Sequence, residues 1–251
     1  MIRRRLLVTS LGFALAPKSR AGLVDVIASA RQSVAAVGTF NPLDNPRFTF
    51  HGTGFVVADG RLLVTNAHVL ADLPVGEGKS TLAVQFDAGG GSLELRPATL
   101  VRLDPAHDLA LLRFEGKALP ALRLADPKDI REGLAVAFIG FPIGGVLGFR
   151  PVTHRGIISS ITAVALPTAN SQQLNEKTVR RLREGSFDVY QLDATAYPGN
   201  SGGPLLNSET GEVVGVVNMV LVKSTKESAL SQPTGISYAI PGRYVEELIR
   251  Q

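Results

Sequence analysis

The sequence predicts an all-β fold built from two sets of short strands. Three observations point there. Short apolar runs recur along the chain with Gly, Pro, Asn and Asp turn signals between them. Helix-like patterning is confined to the chain ends and one polar stretch. A polar, proline-broken segment at residues 122–133 divides the strand runs into two groups, which favours two barrels over one sheet. The chain has 251 residues, enough for one large β domain or two small ones. It contains no cysteine, so disulfides, thiolate metal sites and a cysteine nucleophile are excluded.

Taken in order, residues 1–21 read as a signal peptide or leader. Arg3, Arg4 and Arg5 precede the mostly apolar run Leu6 to Ala16, and Ala14-Leu15-Ala16 offers a small-x-small cleavage pattern. The run is short for a membrane span. Pro17 sits awkwardly after a cut at Ala16, so cleavage after Ala21 is the alternative. The Arg-Arg-x-Leu-Leu pattern loosely matches a twin-arginine signal, and an ordinary terminal strand or tail is the plainer reading. Residues 22–32 suit a short helix with Leu23, Ile27 and Ala30 on one face. Strands are expected at 33–40, 52–57, 61–64, 81–86, 93–96, 99–102 and 109–114. Asn41 to Pro46 is a loop, and Ala58-Asp59-Gly60 is a hairpin turn. Gly89-Gly90-Gly91 lacks the Lys-Ser/Thr of a phosphate loop and reads as a hairpin tip.

Beyond the linker, strands are expected at 135–140, 151–159, 162–166, 187–192, 204–206, 213–222 and 235–240, and Arg243 to Arg250 forms a terminal helix. Residues 170–185 are polar and helix-permissive, which suits a solvated surface insertion. The domains expected are thus a leader at 1–21, a first barrel at 33–121, a linker at 122–133 and a second barrel at 134–246.

Charge argues against a polyanion partner. The chain carries 26 basic and 22 acidic side chains, formally +4. Residues 1–16 hold three arginines and no acid, so a cut there leaves 23 against 22; a cut after Ala21 leaves 21 against 22. The mature domain is near neutral. The local cluster Lys177, Arg180, Arg181 and Arg183 is weak support for nucleic-acid binding.

The chemistry centres on Tyr197-Pro198-Gly199-Asn200-Ser201-Gly202-Gly203-Pro204, one hydroxyl among glycines. By itself this is a surface turn as readily as a nucleophile loop. A serine hydroxyl needs a general base, and the base needs an orienting partner. The chain has four histidines, His51, His68, His107 and His154, and all precede Ser201. Gly199-Asn200-Ser201-Gly202-Gly203 matches the G-x-S-x-G elbow in form, but that elbow requires a histidine after the serine and a helix behind it. The order His, Asp, Ser remains. His68 ends an apolar strand at Leu63-Val64-Thr65-Asn66-Ala67-His68. Asp108 opens the apolar run Leu109-Ala110-Leu111-Leu112, where a carboxylate must be paired. His68 and Asp108 lie in the first strand set and Ser201 in the second, which puts a cleft between them. His51, His107 and His154 lack metal-ligand spacing and read as structural or exposed.

Together the windows Thr65-Asn66-Ala67-His68-Val69, Asp108-Leu109-Ala110-Leu111 and Gly199-Asn200-Ser201-Gly202-Gly203-Pro204 resemble trypsin-like serine peptidases. They are most similar to the bacterial HtrA (Deg) branch, here without a peptide-binding PDZ domain. Gly52-Thr53-Gly54-Phe55-Val56, Gly140-Phe141-Pro142-Ile143-Gly144, Gly156-Ile157-Ile158-Ser159 and Gly235-Ile236-Ser237-Tyr238-Ala239-Ile240-Pro241 extend the likeness over about residues 33–246. The resemblance implies two six-stranded antiparallel β-barrels of the chymotrypsin/trypsin type with a C-terminal helix. It implies peptide-bond hydrolysis, with Ser201 as nucleophile, His68 as base and Asp108 as its orienting acid. The N–H groups of Gly199 and Ser201 would form an oxyanion hole. Thr195 would floor the substrate pocket, Asn218, Met219 and Val220 would wall it, and Ile236 would lie nearby, although Met219 and Ile236 serve equally well as core. None is charged, so small or medium apolar side chains should fit. Asn200 replaces the Asp that pairs with a newly cut amino terminus in digestive relatives, so no clipped zymogen is expected.

The resulting expectation is a serine endopeptidase acting on exported or misfolded proteins, periplasmic or secreted, with no cofactor and no metal. Its expected partners are polypeptide substrates, with no nucleic acid and no membrane span once the leader is removed; a homo-oligomer is left open. The alternative is a latent binding protein of the same scaffold whose oxyanion hole is unformed.

Overall fold

The computed structural model describes residues 22–71, 73, 80–89, 92–142, 149–164, 187–219 and 235–251. The leader, the 170–185 insertion and Val220 lie outside the described residues. Two closed antiparallel barrels of six strands each make up the fold. The first comprises β1 (Val34–Phe40), β2 (Phe48–Val57), β3 (Leu62–Asn66), β4 (Thr81–Gly89), β5 (Ser92–Asp104) and β6 (Leu109–Phe114). The second comprises β7 (Ala135–Gly140), β8 (Val152–Val164), β9 (Phe187–Asp193), β10 (Pro204–Asn207), β11 (Val213–Asn218) and β12 (Ile236–Pro241). Both close in the same order, first-second-third-sixth-fifth-fourth. Helix α1 (Leu23–Ala30) precedes the barrels and α2 (Gly242–Arg250) follows them.

Strand alternation explains how the barrels pack. Along β2, β3 and β6, Val56, Leu63 and Leu112 point into the first barrel, where they meet Val37 and Val84. Their neighbours Phe55, Val64 and Leu111 point outward into a shared core with Ile139, Leu206, Val216 and Ile240 of the second barrel. These strands are buried on both faces, which is why they read as continuous apolar runs. Phe138, Ile158, Leu192, Leu205 and Val217 fill the second barrel. Helix α2 lays Tyr244, Val245 and Leu248 on the shared core. Arg102 of the first barrel donates from Nη1 to the carbonyls of Leu248 and Ile249, at 2.9 and 3.0 Å, and so satisfies the helix C-terminus.

Two strand boundaries differ from expectation. Residues 93–96 and 99–102 are one strand, β5, which pairs with β4 as far as Pro97 and with β6 from Ala98 onward. Pro97 has no N–H to donate, and it marks a change of partner rather than a break. The runs expected at 151–159 and from 162 onward likewise merge as β8, described as far as Val164, with a register shift between Ile158 and Ser160 on β9. In α1 the buried positions are Val26 and Ala30, whereas Leu23 and Ile27 are only half-buried. The expected face is the one that packs, with Val26 added to it and its deepest side at Val26 and Ala30.

The 122–133 segment touches both barrels. The Leu122 N–H donates to the Val56 carbonyl at 2.9 Å. The Ala125 N–H donates to Val213, which returns its own N–H to Arg123. No helix among the described residues is long and apolar enough to cross a membrane.

Candidate active site

The site is assembled where the shared core reaches the surface between the barrels. Strand β3 carries the chain through buried Leu63, Val64, Thr65 and Asn66 and ends in a single 3₁₀ turn, Ala67–Val69, that presents His68. Asp108 precedes β6 with φ +53°, a left-handed conformation that Asp tolerates better than most residues. This conformation turns two acceptors of Asp108 onto the same segment. Its main-chain carbonyl accepts the Ala67 N–H and the Asn66 side-chain amide, both at 3.0 Å. Its carboxylate accepts the His68 main-chain N–H at 2.8 Å through Oδ1 and lies 2.6 Å from His68 Nδ1 through Oδ2. Oδ2 also accepts the Asn218 Nδ2–H at 2.7 Å, from the end of β11 in the other barrel. The acid side chain is 11% exposed and the imidazole 28%. A charged acceptor is thereby kept in a nearly dry site by three donors, and the Nδ1 contact leaves Nε2 on the ring edge away from Asp108.

The serine loop is held against this frame by backbone fit. The Asn200 N–H donates to the Tyr197 carbonyl at 3.0 Å, and Gly199 has φ +100°. With Pro198 before it, this is the signature of a type II turn, which requires glycine at its third position. A Cβ on Gly199 would lie 2.3 Å from the Phe141 carbonyl. Gly202 has φ +86° and packs so tightly on β2 and β3 that a Cβ would lie 2.0 Å from the Thr53 carbonyl and 2.4 Å from Thr65 Oγ1. The Ser201 carbonyl accepts the Thr53 N–H at 2.8 Å. Ser201 is 6% exposed, and its Oγ accepts the Met219 N–H at 3.3 Å. Among the described residues no hydrogen bond joins Ser201 to His68, and neither the Gly199 N–H nor the Ser201 N–H has a partner. Catalytic hydrogen bonds are often long without substrate.

The expected pocket residues fall into different settings. Thr195 is half-buried before the serine loop. Asn218 is fully buried, and its side chain is engaged with Asp108. Met219 packs against the core of the second barrel. Ile236 opens β12 and is 44% exposed. Val220 is outside the described residues.

The remaining histidines have structural surroundings. His107 lies in the turn before β6, not on the strand, with Nδ1 2.6 Å from Asp104 Oδ2 and its ring stacked on Tyr244 at 4.0 Å. His154 stacks on Phe138, and burial lowers its pKa below the ordinary histidine value. His51 lies in β2. No group of three metal-ligating side chains occurs among the described residues.

Two contributors were not anticipated. A polar amide closing the buried run Val213–Val217 was a signal that Asn218 has a buried polar partner. Thr53, fully buried between Gly52 and Gly54, contacts the serine loop by both main chain and side chain.

The model of a family described as trypsin-like peptidase domain matches residues 52–216. The chain is 31% identical over 201 residues to Serine protease HTRA3 of Rattus norvegicus, which covers 80% of this chain and 37% of that protein. It is 35% identical over 190 residues to a Probable periplasmic serine endoprotease DegP-like of Pseudomonas fluorescens, covering 76% of this chain and 32% of that protein. The chain therefore spans about a third of the length of these relatives. Among solved structures, HtrA-type protease AlgW with tripeptide superposes with a TM-score of 0.63 at 26% identity, over 92% of this chain and 63% of that one.

Proposed function

Because the chain belongs to the trypsin-like peptidase domain family, with HtrA-type relatives, we propose that it is a serine endopeptidase working through His68, Asp108 and Ser201. The observation that carries this reading is the Asp108 carboxylate, which engages both the main-chain N–H and Nδ1 of His68. In the proposed cycle Ser201 Oγ attacks the scissile carbonyl and passes its proton to His68 Nε2. Asp108 keeps the ring in the tautomer that can accept that proton and stabilises the imidazolium that results. The imidazolium then protonates the leaving amine. Water hydrolyses the acyl-enzyme by the same steps in reverse roles.

The oxyanion would be received by the N–H groups of Gly199 and Ser201. The type II turn at Pro198-Gly199 and the absence of partners for these two donors among the described residues favour this over the latent-scaffold reading. The substrates proposed are exported or misfolded polypeptides, and the setting is the periplasm or the exterior. The Arg-rich leader pattern and the periplasmic relative support that setting. The uncharged character of Thr195, Met219 and Ile236 supports a preference for small or medium apolar side chains.

The test is active-site labelling by a fluorophosphonate. Wild type should be labelled at Ser201, and Ser201→Ala and His68→Ala should not. Equal labelling of the His68→Ala variant would remove the base from the mechanism, and an unlabelled wild type would favour the binding scaffold.

A further inference from the structure

Thr53 sits in β2 of the first barrel, fully buried, and makes four hydrogen bonds that converge on the candidate site. Its Oγ1 donates to the Gly199 carbonyl at 2.6 Å and accepts the Phe141 N–H at 3.1 Å. Its N–H donates to the Ser201 carbonyl at 2.8 Å. Its own carbonyl accepts from Thr65 Oγ1 at 2.7 Å, and Thr65 lies three residues before His68. One residue of the first barrel thus holds two carbonyls of the serine loop in the second.

The consequence follows from peptide planarity. In each peptide unit the C=O and N–H point in opposite directions. The Gly199 carbonyl is fixed by Thr53 Oγ1, the Asn200 carbonyl by the Gly203 N–H, and the Ser201 carbonyl by the Thr53 N–H. With these three planes fixed, the Ser201 N–H and the position of Gly199 are fixed as well. Through Thr65 the same residue sets the depth of the loop relative to His68.

From this we infer that the Thr53 hydroxyl is a positioning residue for the oxyanion hole, a role that rests on the peptidase reading above. It does not touch the substrate. It holds the Gly199–Asn200 peptide, which lies between the peptide that carries the Gly199 N–H and the one that carries the Ser201 N–H, and it ties that peptide to the barrel that carries the base. Removing it leaves a buried carbonyl and a buried N–H unpaired, and both are relieved only if the loop moves.

The test compares Thr53→Val, close to isosteric but without the hydroxyl, with Thr53→Ser, which keeps it. Thr53→Ala is carried alongside because it adds no branched methyl to be accommodated. We expect Thr53→Val and Thr53→Ala to lower kcat by about 10²-fold, the size of one lost oxyanion donor, with KM within about twofold. Thr53→Ser should recover activity to within about threefold of wild type. A peptide boronate, which mimics the tetrahedral state, should lose affinity in proportion to the fall in kcat/KM, whereas the cleaved product peptide should bind as before. A merely structural role would weaken both ligands together or neither, and that result overturns the inference. So does wild-type kcat in folded Thr53→Val or Thr53→Ala. If wild type itself is not labelled at Ser201, the peptidase reading falls and this inference falls with it. If wild type is labelled and the Thr53 variants turn over normally, only the role of Thr53 is lost.

Discussion

Asp108→Asn isolates the tautomer argument from the fold. The carboxylate has three donors around it, the His68 N–H, His68 Nδ1 and Asn218 Nδ2, at 2.8, 2.6 and 2.7 Å. An amide in its place can sit in two ways. With its nitrogen toward the His68 main-chain N–H, two donors meet at hydrogen-bond distance and a charge-assisted bond is lost, about 1.5–3 kcal/mol. With its oxygen there instead, its nitrogen faces His68 Nδ1 and Asn218. Those contacts can be kept if the imidazole shifts its proton to Nε2 and Asn218 turns its amide to offer oxygen. The second arrangement is the cheaper one, and it presents an Nε2–H where Ser201 needs an acceptor. The corresponding change in serine triads lowers kcat by about 10⁴, or about 5.4 kcal/mol at 1.36 per tenfold. Stability should change far less than kcat, because the contacts are kept although they lose their charge assistance. Steady-state hydrolysis of an apolar peptide series, with a denaturant midpoint on the same preparations, measures both. A folded Asp108→Asn enzyme within tenfold of wild type would refute the role of Asp108.

Two further outcomes follow from the packing and from burial. Gly202→Ala places a Cβ 2.0 Å from the Thr53 carbonyl at a φ of +86°, so it should separate the loop from β2, reduce labelling at Ser201 by at least tenfold and lower the thermal midpoint; unchanged labelling would mean the two barrels are not in tight register there. His154 is half-buried against Phe138 with its pKa lowered by desolvation, so the unfolded chain takes up the proton first. Its contribution is complete above the ordinary histidine value and is lost as pH falls through that value toward the folded one. His154→Phe should therefore narrow the difference in thermal midpoint between pH 8 and pH 5, and an unchanged difference would show that His154 is not a source of acid sensitivity.

What could be read from the sequence was what local patterning encodes. The apolar runs of β2, β3 and β6 are unbroken because those strands are buried on both faces, so their existence was plain. His68 at a strand end and Asp108 at a strand start were legible because a carboxylate opening a buried run has to be paired. Pairing partners were harder. Breaks were expected at Pro97 and after Ser159, whereas β5 exchanges β4 for β6 at Pro97 and β8 runs on along β9 past a register shift between Ile158 and Ser160. Asn218 was placed in a pocket wall by the resemblance alone, and nothing local showed that its side chain bonds a partner 110 residues away. Thr53 looked like any strand threonine, since nothing local distinguishes a hydroxyl that spans two barrels.

The same non-local contacts explain why the site lies between barrels and not within one. His68 and Asp108 belong to the first barrel and Ser201 and Asn218 to the second, so no element carries the chemistry alone. Each tie that orders the serine loop against the base crosses the interface: Thr53 to Gly199, Thr53 to Ser201, Gly202 on β2 and β3, and Asn218 to Asp108. Behind these ties stand Phe55, Val64 and Leu111 from one barrel and Ile139, Phe141 and Val216 from the other, all buried in the shared core. A close-packed core transmits a change of one methylene as a displacement. Three of these ties are hydrogen bonds of 2.6–2.8 Å that tolerate little lengthening. The residues that set the registration of the two barrels therefore also set the geometry of the site, including fully buried ones such as Thr53, Phe55 and Val64.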